Sequence, residues 1–377
     1  MKKLTIAVLC FLVVSLVIST VFISGCAEKK EIKIGAILPL SGPYAKYGEI
    51  MKRGIDLAVD EINNQGGIKG IPLKVYYDDD QGDIKQSVSV MEKLIKIDKI
   101  KVIIGGISSS QALALAPISR KNRVIVFSPA ASAPDLRNSS EYIFRNAVSD
   151  FYEAQQMANL TINTLNFTKV VIIYINNDYG LGLKNAFTNE FVRLGGTVVA
   201  EESFEQDASD FRTQLTKIKN KRPQAIYMIS YKESINILKQ SKELGIKSQF
   251  LTTPLFEDPD IINKTGIISE GVIYAGRGYD PTSERAEVKN FIESYKTRYG
   301  NPPEMYFPAR TYDAVKILAF VIEKVGSNPE NIKKEIPKIK DFAGVSGITS
   351  YDDKTGDVMQ PIILKIVKNG KFVKFND

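Results

Sequence analysis

The sequence predicts an α/β protein built as two lobes, each around a parallel-dominated sheet. Three observations predict this. Apolar runs such as Val102–Ile104 are nearly unbroken, which suits strands buried on both faces. Segments with apolar residues at helical spacing lie between them, so strands and helices alternate. The rhythm restarts near residue 150, and 377 residues are many for a single core.

In order, residues 32–40 form the first strand and stop at Ser41-Gly42-Pro43. The next helix carries Ile55, Ala58, Val59 and Ile62 on one stripe. It ends at Asn63-Asn64-Gln65-Gly66-Gly67, a C-cap and turn signal. Residues 73–77 are the second strand, followed by a helix to about Lys96. Strand Val102–Ile104 ends in Gly105-Gly106, and a helix runs from the serines Ser108 to Ser110 as far as Lys121. Strand 124–127 ends in Ser128-Pro129-Ala130-Ala131-Ser132, and 142–147 completes the first series. A helix over 150–165 opens the second series. Its strands are 170–175, 197–203, 225–229, 249–251 and 272–275. Beyond Asp280 the helical content rises. Val288, Phe291, Ile292 and Tyr295 mark one amphipathic helix, and Tyr312, Val315, Ala319 and Ile322 mark another. The late strands 347–349 and 361–367 are separated by the turn Asp352-Asp353-Lys354-Thr355-Gly356, which reads as a hairpin.

Composition narrows the function. With 44% hydrophobic and 25% charged residues the chain is an ordinary globular one. The net charge is +7, or +5 without Lys2 and Lys3. Basic and acidic residues are interspersed, with no basic stripe among aromatics, so nucleic acid is not an expected partner. There is no histidine, which removes Ser-His-Asp and Cys-His catalysis and His-ligated metal sites. The two cysteines are Cys10 and Cys26. Cys10 lies in an apolar N-terminal run, so the body holds at most one thiol.

Residues 1–26 have a basic start, a long apolar run and a small-residue end, the parts of a secretory signal peptide. Ile23-Ser24-Gly25-Cys26 resembles the lipobox of secreted lipoproteins, in which the cysteine is acylated and becomes the new N-terminus. On that reading 1–25 is a signal peptide, Cys26 the lipid anchor and 26–30 a polar tether. The run is also long enough for an uncleaved span, which needs roughly 20 apolar residues. Both readings put the body outside the membrane and tethered to it. Four N-x-S/T sequons, at Asn138, Asn159, Asn166 and Asn263, fit export but are within what chance produces.

Two successive strands hand over to small hydroxyl-bearing residues. In an open α/β sheet, ligands sit in the crevice beyond the carboxyl ends of the strands. A serine there offers a hydroxyl, and the helix start beside it offers free N–H groups and a partial positive charge, which suits a carboxylate. The alternative is that such serines are only N-caps. Asp78-Asp79-Asp80, also at a strand end, raises a metal or acid–base reading against that of an exposed turn.

Several of these motifs resemble the branched-chain amino acid binding proteins of ABC importers. They are the run from Ile34 to Gly48, Glu61-Ile62-Asn63 before Gly66-Gly67, and the Ser108–Ser110 turn. Ser128-Pro129-Ala130-Ala131-Ser132, Asn177-Asp178-Tyr179-Gly180 and residues 306–318 complete the set. The resemblance implies the type I periplasmic-binding fold, two Rossmann-like lobes joined by three crossovers. Lobe 1 would be 31–150 plus 280–350, and lobe 2 would be 151–279 plus 351–377. It further implies that Ser109 holds a ligand carboxylate, and that Ala130 and Ser132 supply a carbonyl and a hydroxyl–amide pair. Tyr179 and Tyr231 would close over the ligand from lobe 2, and Tyr47 would flank it from the first loop. The family's amino acid binders carry a glutamate after the strand that ends here at Phe250-Leu251, to pair with the ligand ammonium. Thr252-Thr253-Pro254 stands at that place, so Glu257 is the candidate if the loop is longer here, and a ligand without an amine is the alternative.

The N-terminal motif and the resemblance together lead to the expectation of a monomeric, exported, membrane-attached lipoprotein without cofactor or catalytic residues. It would capture a small amino acid and deliver it to an ABC permease. A sensor, or a binding protein for an amide, urea or small carboxylate, is the competing expectation.

Overall fold

The computed structural model of the chain describes residues 30–303, 305–352 and 355–376. The N-terminal stretch with Cys26, and Asp353-Lys354, lie outside the described residues.

The first sheet has five parallel strands, β1 (Ile32–Leu38), β2 (Leu73–Asp79), β3 (Val102–Ile104), β4 (Ile125–Ser128) and β5 (Ile143–Arg145), in the order β2-β1-β3-β4-β5. Alternate side chains go to opposite faces, as strand geometry requires. Ile34, Ala36, Leu38, Ile104 and Phe127 point into one core, and Ile37, Ile103 and Val126 into another. That is why these strands read as unbroken apolar runs. Helices α1 (Ala45–Asn64), α2 (Ile84–Lys96) and α3 (Ser109–Asn122) cover the faces.

The second sheet repeats this order. β6 (Lys169–Ile175), β7 (Thr197–Phe204), β8 (Ala225–Ile229), β9 (Gln249–Thr252) and β10 (Ile273–Gly276) lie as β7-β6-β8-β9-β10, all parallel. Its helices include α4 (Asp150–Asn159), α5 (Asp178–Arg193), α6 (Arg212–Lys221), α7 (Ser234–Glu243) and α8 (Pro259–Thr265).

The chain then returns to the first core with α9 (Ala286–Tyr299), α10 (Phe307–Val325) and α11 (Pro329–Glu335). Tyr312, Val315, Ala319 and Ile322 predict a one-sided helix. In fact α10 is buried from Phe307 to Val315 without a break, because it fills the space between α1 and the sheet. The approach to α1 is close. A Cβ on Gly54 would lie 2.2 Å from Pro308 O, and Thr311 Oγ1 donates to Met51 O at 2.8 Å.

A small antiparallel sheet follows, of β11 (Phe342–Gly344), β12 (Gly347–Tyr351) and β13 (Val358–Met359); the strand partner of β12 beyond the turn is thus 358–359, not the expected 361–367. Finally β14 (Ile363–Lys368) pairs antiparallel with β10, and β15 (Lys371–Lys374) pairs with β14. The chain thus passes between the two cores three times: after Val148, between Ala275 and Tyr279, and after Val358. The last passage is later than the expected boundary at 350/351. Tyr351 and Val358 belong to the first core, Tyr351 donates to Arg145 O, and Asp357 pairs with Arg145 and Arg137.

Candidate functional site

Both sheets have the 2-1-3-4-5 order, and in such sheets the crevice opens at the carboxyl ends of the strands beside the first one. Gly106, after β3, has φ +67, and a Cβ there would lie 2.8 Å from Ala112 Cα, so only glycine lets α3 start this close to the sheet. Ser108 caps α3: its Oγ accepts from Gln111 N while Gln111 Oε1 accepts from Ser108 N. Ser109 is buried, and its Oγ accepts from Ala133 N at 3.1 Å, leaving its own proton to donate. The cap and the candidate ligand group are therefore adjacent residues. Ser128 is structural, donating to Gly106 O and accepting from Ala131 N. Ala130 is half-buried against the first core. Ser132 is buried, and its carbonyl accepts from Asp150 N at 2.8 Å.

From the second sheet, Tyr179 stands in the first turn of α5, and Tyr231 follows β8. Their rings stack at 5.6 Å with planes 12° apart. Tyr231 Oη accepts from Asn177 Nδ2 at 3.4 Å, and Asn177 also caps α5. The Tyr179 hydroxyl is buried without a hydrogen-bond partner. Tyr47 lies at the rim. It donates to Asp258 Oδ2 at 3.3 Å across the crevice, and beside it Lys46 Nζ reaches Asp260 at 2.6 Å.

Glu257 is not brought to this cluster. Its carboxylate pairs with Lys365 of β14, the strand beside β10. The expected partner for Glu257 is a ligand amine; in the structure a 3-10 turn, Pro254–Phe256, follows β9, and the Glu257 carboxylate just beyond it is engaged by Lys365. The Asp78-Asp79-Asp80 reading resolves as well. Asp78 pairs with Lys93, Asp79 accepts from Leu40 N and from Ser41, and Asp80 accepts from Ser87 and Gln111. Asp80 is fully buried rather than in an exposed turn. Among the described residues no group of His, Cys, Asp or Glu could hold a metal.

Sequence reasoning missed a charged set at the junction of the lobes. Asp150 and Glu153 open α4, and Arg277 follows β10. They are 0%, 2% and 7% exposed. Arg277 Nη2 lies 3.3 Å from Glu153 Oε2 and 3.6 Å from Asp150 Oδ1, and Nη1 donates to Val148 O. Burial holds both carboxyls above the usual carboxylate range, against the pull of Arg277. A charged residue directly after an apolar strand, as Arg277 is after Ala275-Gly276, is the signal that could have found it. A cavity of about 690 Å³ opens at the opposite, amino end of the second sheet, beside Gln224, Gln249 and Val272, far from these groups.

A family model described as periplasmic binding protein matches residues 31–371. The chain belongs to that family. It is a solute-binding protein and not an enzyme. It is 29% identical over 339 residues to the Leu/Ile/Val-binding protein homolog 3 of Brucella melitensis, covering 89% of this chain and 90% of the relative. It is 27% identical to the Leu/Ile/Val-binding protein of Escherichia coli over 338 residues, with coverage of 89% and 90%. Among solved structures, a leucine binding protein from Thermotoga maritima superposes with a TM-score of 0.83 at 30% identity, covering 91% of this chain and 97% of that one. A branched-chain amino acid transporter substrate-binding protein from Streptococcus pneumoniae, in complex with isoleucine, gives 0.81 at 30% identity, with coverage of 91% and 98%.

Proposed function

We propose that this protein is an extracytoplasmic lipoprotein that captures a small amino acid, branched-chain by the names of its relatives, and delivers it to an ABC importer. The observation that carries the reading is the approach of the helix carrying Tyr179, which stacks on Tyr231, to the turn after Ser132, where Gly182 lies against Ala133 and Pro134 and Ala133 N donates to Ser109. Ligand would enter the open cleft and bind first to lobe 1, its carboxylate on Ser109 and its amine near the Ala130 carbonyl and Ser132. Lobe 2 then swings in, and the two tyrosine rings exclude water. Closure joins the rims through Lys46, Tyr47 and Asp258 and makes one continuous surface for a permease. Cys26 would carry the lipid and hold the monomer at the outer face of the membrane.

One observation favours a second reading. Thr253 and Pro254 occupy the place where a glutamate would meet an amine, and Glu257 is taken by Lys365. A solute without an amine is that reading.

A thermal-shift screen of the full chain against the amino acids, amides, urea and small carboxylates tests both, since a ligand for the folded state raises the melting temperature. A shift by Leu, Ile or Val that is lost in Ser109→Ala upholds the first. A shift by amine-free solutes alone upholds the second.

A further inference from the structure

The junction of the lobes holds two buried carboxyl groups whose oxygens the packing leaves short of donors. Asp150 and Glu153 are one helical turn apart on α4, so they share a face. Were both carboxyls ionised, the three side chains would sum with Arg277 to one negative charge, with the Arg310 guanidinium beyond them, and burial works against that ionisation. Both Asp150 carboxylate oxygens and Glu153 Oε1 are buried without a hydrogen-bond donor, and so are the hydroxyls of Tyr179, Tyr227 and Thr253. Arg277 cannot serve all of these acceptors. Its Nη2 stands 3.3 and 3.6 Å from the two carboxylates, its Nη1 is committed to Val148 O, and its Nε, itself without a partner, meets none of them. Buried carboxylate oxygens are costly unless a donor meets them, and a cation with several N–H groups meets most of the cost. The set adjoins the proposed ligand site: Asp150 N donates to Ser132 O, and Tyr179 carries the unpartnered hydroxyl of the stacked pair.

We propose that Glu153, oriented by Arg277 and acting beside Asp150, is the specificity-determining acceptor for the ligand's ammonium group, in place of a glutamate after β9. This rests on the amino acid reading above and decides between its two forms. Arg277 is a positioning residue: it holds Glu153 and lowers the cost of an empty site. The other titratable groups facing Glu153 are Tyr179 and Tyr227 of lobe 2 and Tyr306 and Arg310 at the start of α10.

The test compares matched ligand pairs that differ only in the amine: leucine with 4-methylpentanoate, alanine with propanoate, and phenylalanine with 3-phenylpropanoate. Calorimetric affinities are taken for the full chain and for Glu153→Gln and Glu153→Asp. The expected result is that the native protein prefers the amine-bearing member. Glu153→Gln shrinks that preference by at least about tenfold by weakening the amino acid alone, and Glu153→Asp keeps most of it. The retained affinity of Glu153→Gln for the amine-free acid shows that this variant is folded. An unchanged preference in Glu153→Gln overturns the proposal, as does a native protein that binds the amine-free member at least as tightly. If the branched-chain pair is silent while another pair shows the Glu153-dependent preference, the branched-chain assignment falls and this one stands. If no pair binds, both fall.

Discussion

The two sheets share one strand order and differ in what they offer at their carboxyl ends. The first ends in small residues, with Ser109 and Ser132 set by a capped helix and a tight turn. The second ends in rings, Tyr179 on Tyr231, backed by buried charge. The same topology therefore yields one face that grips by hydrogen bonds and one that covers. The first needs exact backbone placement, and glycine and caps supply it. The tyrosine pair of the second needs only bulk and orientation, which stacking supplies. The lobes also differ in how they are completed. The first receives three helices from late in the chain, the second a single hairpin, β14 and β15.

The comparison can be broken most severely in the cores. Phe127→Ala in the first and Phe187→Ala in the second each remove a fully buried ring and are expected to cost about 3–5 kcal/mol. Three crossovers and Arg277 join the lobes, so calorimetry should show one transition shifted in both variants. Two separated transitions would mean the lobes fold independently. Next comes Gly54→Ala, whose new Cβ meets Pro308 O; urea unfolding should register about 1–3 kcal/mol lost.

A smaller effect is electrostatic. Asp150 and Glu153 have raised carboxyls in the folded state, so folded protein binds more protons than unfolded protein above the ordinary carboxylate range. Stability of the ligand-free protein is therefore present at low pH and declines as pH rises from about 4 through the raised values. Melting temperatures from pH 5 to 8 should show the decline, and Glu153→Gln should flatten it.

Ser109→Ala removes one acceptor of Ala133 N and should cost about 1 kcal/mol of stability while greatly weakening ligand binding, a split that separates gripping from folding. Smallest is Lys46→Ala at the rim. Its pairing with Asp258 and Asp260 is half-exposed, so it is worth about 0.2–1 kcal/mol, and ligand affinity should drop less than about fivefold.

Most of the strand positions were legible because parallel strands buried on both faces leave unbroken apolar runs. The serine turns were legible because caps and glycines are local chemistry. Two things were not. The partner of Glu257 is Lys365, more than a hundred residues later, and nothing near Glu257 announces it. The Asp150–Glu153–Arg277 set likewise joins two crossovers that only the folded chain brings together. The one-sided pattern of α10 understated its burial for the same reason, since residues such as Arg310 and Asp313 find buried partners there: Arg310 Nη1 donates to Asn146 O, and Asp313 accepts from Val345 N and Ser346 N.

The interleaving of the lobes also has a kinetic side. The contact of Gly54 with Pro308 spans about 250 residues, and β10 stays an open edge until residues 363–368 arrive. A chain emerging from its N-terminus must therefore hold α1 without its partner helix through most of synthesis, and closing so long a loop slows the last step. Until then the exposed face of α1 and the bare edge of β10 are surfaces for a chaperone or for aggregation. Loss of the last fifteen residues would accordingly harm yield far more than so short a segment suggests.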